Sequence, residues 1–151
     1  MKINSDNGFT LIEILIAISI LSIGIFSVAS MQISAIKGNS SANSLTRATT
    51  IAQDRIEQLI STPYNNADLQ DTNGNGNAGL RNPLPPLPAL AIPDTNTYPP
   101  DYQLTDGEYT VYWNVSVDDP MDNTKIINVI VTWPYNRTTR NVVIKYIKLP
   151  S

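Results

Sequence analysis

The chain opens on a short polar stretch and then turns apolar without interruption. From Phe9 to Met31 the only formal charge is Glu13, and aliphatic side chains fill most other places. Wound as an α-helix at about 1.5 Å per residue, this run reaches roughly 35 Å, enough to cross a hydrocarbon core of about 30 Å. Beyond Met31 the period stays helical but becomes one-sided. Leu45, Ala48, Ala52, Ile56 and Leu59 recur at intervals of three and four, which draws one apolar stripe. Arg47, Asp54, Arg55, Glu57 and Gln58 decorate the other faces. Pro63 cannot continue a helix and Tyr64-Asn65-Asn66 reads as a turn, so the helix should end near Ser61. Gly24 and Gly38 weaken the rod, each by roughly 1 kcal/mol relative to alanine. Gly38-Asn39-Ser40-Ser41 is its least helical stretch. It separates a membrane-spanning part, 9–37, from an amphipathic part, 38–62.

Residues 63–107 carry no clear period and read as a loop. Seven of the eleven prolines lie between Pro83 and Pro100, which rules out a helix interior or a central strand there. From Glu108 the pattern alternates. Tyr109, Val111, Trp113, Val115 and Val117 interleave with Thr110, Tyr112, Asn114 and Ser116, as in a strand with one buried face. Asp118 to Asn123 reads as a turn, Ile127 to Trp133 as a second strand, Pro134 to Arg137 as another turn, and Val142 to Leu149 as a third strand. Strands joined by short turns favour an antiparallel meander over 108–151, packed on the helix stripe. The fold class is therefore α+β.

Composition narrows the chemistry. The 151 residues carry a net charge of −3 with no basic block, so the electrostatic footprint of a nucleic-acid binder is missing. An acidic surface also suits anionic lipid poorly, and membrane attachment must rest on the apolar run. There is no cysteine and no histidine. Disulfides, thiolate metal sites and the usual neutral-pH general base are thus excluded. The nearest paired acids, Asp118-Asp119, fall in a turn, and no serine sits in a nucleophile-elbow pattern. A membrane-anchored hydrolase is disfavoured. A secretory signal peptide fits no better, since the apolar run is too long and no small-x-small site closes it. Lys2 precedes the run, which favours a cytoplasmic N-terminus.

Glu13 is the anomaly. A carboxylate within an apolar helix costs on the order of 3 kcal/mol to insert, less near the interface. Either it snorkels at the helix start, or a positive charge awaits it in an assembled state. Gly8-Phe9-Thr10-Leu11-Ile12-Glu13, followed by the aliphatic run, resembles the class III signal of type IV prepilins and pseudopilins. The resemblance implies a type IV pilin-like fold, a long helix against a small antiparallel sheet. It implies a leader at 1–8, cleavage after Gly8 by a prepilin peptidase, and N-methylation of Phe9. It further implies that Glu13 meets the free amine of a neighbouring subunit during assembly. Opposite charges in a low-dielectric core attract strongly and offset each other's desolvation. The implied partners are other major and minor pilins, the peptidase, the inner-membrane assembly platform and the membrane. The implied location is the bacterial inner membrane, then a surface pilus or the periplasm. Many major pilins break the span with a proline, and 9–37 has none.

The C-terminal part is similar to PilV-type minor pilins, through Tyr109-Thr-Val-Tyr-Trp113, Lys125-Ile-Ile-Asn-Val-Ile-Val-Thr-Trp133 and Arg140-Asn-Val-Val. That group is described as type IV pilus modification or assembly proteins, and it points to a minor pilin of the tip or initiating complex. A minor pseudopilin of a type II secretion system is the alternative. Trp113 and Trp133 read as sheet core, against an adhesive patch. Cofactors are not expected, with one weak exception. Asp71-Thr-Asn73-Gly-Asn75-Gly76 resembles the first half of a calcium loop, with oxygens at positions one, three and five and glycine at six. The twelfth position is Asn82 where a bidentate glutamate belongs. An ion-free Asn-Gly turn cluster is the competing reading, and any calcium affinity should be low.

Overall fold

The computed structural model describes residues 9–76, 95–96 and 98–150. One helix, α1, runs from Leu11 to Ser61 without a break at Gly38, and ends where Pro63 required. The chain divides into two compact units, Met1–Ala42 and Asn43–Ser151.

In the first unit every large apolar side chain from Phe9 to Ile36 is exposed. The helix is long and apolar enough to cross a membrane. Its serines do not spoil that surface. Ser19, Ser22, Ser27 and Ser34 each donate their hydroxyl to the carbonyl four residues earlier, at 2.7–3.0 Å. Ser30 donates to the Ser27 carbonyl. These five hydroxyls are satisfied within the helix, as a lipid-facing segment requires.

In the second unit four strands form one antiparallel sheet: β1 (Tyr102–Asp106), β2 (Tyr109–Val117), β3 (Lys125–Tyr135) and β4 (Thr138–Lys148), in the order β1-β2-β3-β4. The α+β expectation and the meander hold. Ala48, Ala52, Ile56 and Leu59 are buried against Val111, Trp113, Val115, Ile127, Val129, Val131 and Trp133. Leu45, expected in the same stripe, stays half exposed. The two-residue turn between β3 and β4 is Asn136-Arg137, with both φ values positive. That is the hairpin geometry whose twist matches the strands.

Three readings need correction. The loop at 63–107 contains β1, and also a short 3-10 helix at Ala67–Leu69. The last strand begins at Thr138, four residues before Val142. Asn114 and Ser116, read as outward polar positions, are buried at 3% and 4% exposure. The loop around Gly76 covers them, since Asn114 Nδ2 donates to the Gly76 carbonyl at 2.7 Å.

Asp101 explains how that loop stays down. The β1–β2 ladder starts at Tyr102 and Trp113, so β2 has no β1 partner at Val115. Asp101 Oδ2 accepts the Val115 N–H at 2.7 Å. Its Oδ1 accepts from Thr72 N at 2.8 Å and Thr72 Oγ1 at 3.0 Å. One carboxylate thus finishes the sheet edge and anchors the loop.

Candidate functional site: the start of α1 and the Asp71 loop

Thr10 and Glu13 close the N-terminus of α1 reciprocally. Glu13 Oε2 accepts from Thr10 N at 2.8 Å and from Thr10 Oγ1 at 2.9 Å, while Thr10 Oγ1 faces the Glu13 N–H at 3.4 Å. This is a capping box, with threonine at the cap and glutamate three residues on. It offsets part of the cost of placing a carboxylate at the edge of an apolar segment, because the Thr10 N–H, which has no helical partner, and the Thr10 hydroxyl both donate to it. Both contacts fall on Oε2. Among the described residues no hydrogen bond reaches Oε1, and Glu13 is exposed. The capping signal was present in the sequence as Thr-x-x-Glu ahead of an apolar run. Phe9 is 85% exposed beside it, and Gly8 lies outside the described residues.

The Asp71 loop is ordered by its own oxygens. Asp71 Oδ1 accepts from Gly74 N at 2.8 Å and Oδ2 from Gly76 N at 2.9 Å. Asn73 Oδ1 accepts from Asn75 N at 3.0 Å. Asn73 Nδ2 and Asn75 Nδ2 both donate to the Pro99 carbonyl, at 3.1 and 2.8 Å. Gly74 and Gly76 have φ of +70° and +51°, which glycine alone adopts without strain. The twelfth position, Asn82, lies outside the described residues.

The tryptophans are in the core, Trp113 at 5% and Trp133 at 2% exposure. Trp113 is stacked on Tyr102 at 4.9 Å between ring centroids, and the Arg55 guanidinium lies 3.9 Å from its ring centre. Burial lowers the Arg55 pKa, and Asp68 opposes that shift. Burial raises the Tyr102 pKa, while a hydrogen bond to the Gln70 carbonyl acts the other way. Asp118 and Asp119 serve their turn, accepting from Asn123 N and Ser116 Oγ.

The family described as the prokaryotic N-terminal methylation motif matches residues 3–29. No curated protein and no solved structure gives a significant match. The matched stretch contains Gly8, Phe9, the capping box and most of the exposed apolar helix. The chain therefore carries the N-terminus of a type IV pilin-like prepilin, and its α+β architecture is consistent with the type IV pilin fold. The motif implies processing by a prepilin peptidase and assembly among pilins, and with the apolar helix it fits a membrane-anchored precursor.

Proposed function

We propose that this chain is a minor type IV pilin of the PilV type, a structural subunit of the tip or initiating complex. Residues 1–8 are the leader, removed after Gly8, and Phe9 becomes the methylated N-terminus. Residues 9–37 cross the inner membrane before assembly and enter the filament core afterwards. Residues 38–62 support the sheet domain formed by 108–151, to which β1 is added from 63–107. Glu13 meets the amine of a neighbouring subunit. The role is structural rather than catalytic.

One observation carries this reading. A capping-box glutamate, with one oxygen bound to its own helix, sits at the mouth of a wholly exposed apolar helix inside the methylation motif. Such a carboxylate can hold the helix end and still accept a foreign ammonium group. Mass spectrometry of assembled material should find a chain that starts at Phe9 and carries one extra methyl. Intact Met1 in assembled fibres would remove the prepilin reading. Deleting the gene should abolish or thin the pili. Loss of protein secretion with normal piliation would instead assign the chain to a type II secretion pseudopilus.

A further inference from the structure

The oxygens around Gly76 are more than a turn requires. Asn75 turns its amide nitrogen away to the Pro99 carbonyl, and its Oδ1 is shielded from solvent with no hydrogen-bond partner. Asn114, on the face of β2 turned away from α1, is 3% exposed. Its Nδ2 is fixed on the Gly76 carbonyl, and its Oδ1 is likewise shielded and unpartnered. Two acceptors from separate parts of the chain thus flank one glycine, and neither has a donor. Asp71 Oδ2 and Ser116 Oγ lie 3.9 and 3.6 Å from the position a Cβ on Gly76 would take. Buried acceptors left without donors are rare, and a bound cation is one arrangement that satisfies them.

We propose that Asp71, Asn75 and Asn114, gathered about Gly76, form a low-affinity calcium site that locks the loop onto β2. The donor set is all oxygen, which selects a hard cation, and mostly neutral amide oxygen. Calcium accepts a loose, irregular shell of that kind. Magnesium demands a tight octahedron and gives up its water reluctantly. Among the described residues no three acidic side chains converge on a metal position, and Asp71 is the one carboxylate of the set. Low charge places the affinity with extracellular calcium modules, at about 0.1–1 mM. The inference does not depend on the pilin assignment.

The test uses the full chain in detergent micelles, with thermal unfolding followed through the buried Trp113 and Trp133. Calcium should raise the melting temperature with a midpoint near ~0.1–1 mM, and magnesium at equal concentration should raise it much less. Asp71→Asn should abolish the calcium response. Because Asp71 also orders the loop, a second variant guards against simple misfolding. Asn75→Asp adds a charge where the unpartnered oxygen sits and sets a carboxylate oxygen against the Pro99 carbonyl. It should melt lower without calcium and gain a larger calcium response, with about tenfold tighter binding. No calcium shift in the unmodified chain would overturn the site and leave water as the partner of the two amide oxygens. An equal magnesium response, or a calcium response that survives Asp71→Asn, would overturn it too.

Discussion

Lys125 and Lys148 are directly opposed across β3 and β4, and both bury their ammonium groups on backbone carbonyls. Lys148 donates to the carbonyls of Leu59 and Ile60, in the last turn of α1. Lys125 donates to those of Tyr64 and Leu69, at 2.8 and 2.6 Å, just past the helix. The last turn of α1 holds no basic residue of its own. The sheet supplies the cations that the negative helix end and its spare carbonyls attract.

Lys148→Met should therefore destabilise the sheet domain by about 1–3 kcal/mol, through carbonyls left buried without a donor. Denaturant unfolding followed by tryptophan fluorescence would measure it. A loss below the error of the method would mean that water reaches those carbonyls.

The same pair gives stability a pH dependence. Burial holds the Lys125 pKa below its ordinary 10.5, and the adjacent Lys148 lowers it further, against a smaller opposing pull from Asp118. Between the lowered value and 10.5 the unfolded chain holds more protons at this site than the folded one. Its contribution is thus complete above 10.5 and is lost as pH falls through the folded value. Tyr64 and Tyr102 act the other way at the alkaline end, because burial raises both above 10.0. Comparing the unmodified chain with Lys125→Met isolates the lysine. The stability difference should move in favour of the unmodified chain as pH rises towards 10.5. A flat difference would show that Lys125 keeps an ordinary pKa.

Asp101→Ala should cost about 2–4 kcal/mol, since it strips a charged acceptor from a β2 amide and three loop donors at once. Hydrogen exchange at Val115 should accelerate with it. Unchanged protection there would mean that another acceptor replaces the carboxylate.

The capping box separates two roles for Glu13. Glu13→Val removes both the charge and the cap, and should leave leader cleavage and membrane insertion intact while lowering incorporation into fibres. Glu13→Gln keeps an oxygen for Thr10 but removes the charge. If the carboxylate pairs with a neighbour's amine, Gln should fail much as Val does, because an unpaired buried charge costs about 3–5 kcal/mol. The ratio of subunit in sheared fibres to subunit in the membrane fraction is the measurement. Normal incorporation of the Gln variant would reduce Glu13 to a helix cap.

Much of the fold was legible because its signals are local. Pro63 fixed the helix end, and the alternation from Tyr109 marked a strand that faces α1 through Val111, Trp113 and Val115. The helix-start motif was legible from adjacent residues, and Thr10-x-x-Glu13 could have been read as a cap as well. β1 was not legible. It follows Pro99-Pro100, packs only Tyr102 against the core while Leu104 stays half exposed, and exists by pairing with β2. The burial of Asn114 and Ser116 was hidden for the same reason, since the loop that covers them is held by Asp101. The burial of Lys125 and Lys148 was not legible, because their acceptors lie 56 to 89 positions away.

The serine hydroxyls of the first unit bear on how a subunit changes surroundings. Ser19, Ser22, Ser27, Ser30 and Ser34 are each already committed to a carbonyl of their own helix. To any neighbour, lipid tail or protein, the stretch 14–31 therefore presents hydrocarbon. In the proposed assembly, moving it from bilayer to filament exchanges one oily medium for another, so none of these hydroxyls has to find a new acceptor on the way. Within 14–31 the passage breaks no serine hydrogen bond in either direction, which leaves Glu13 as the residue that tells the two media apart.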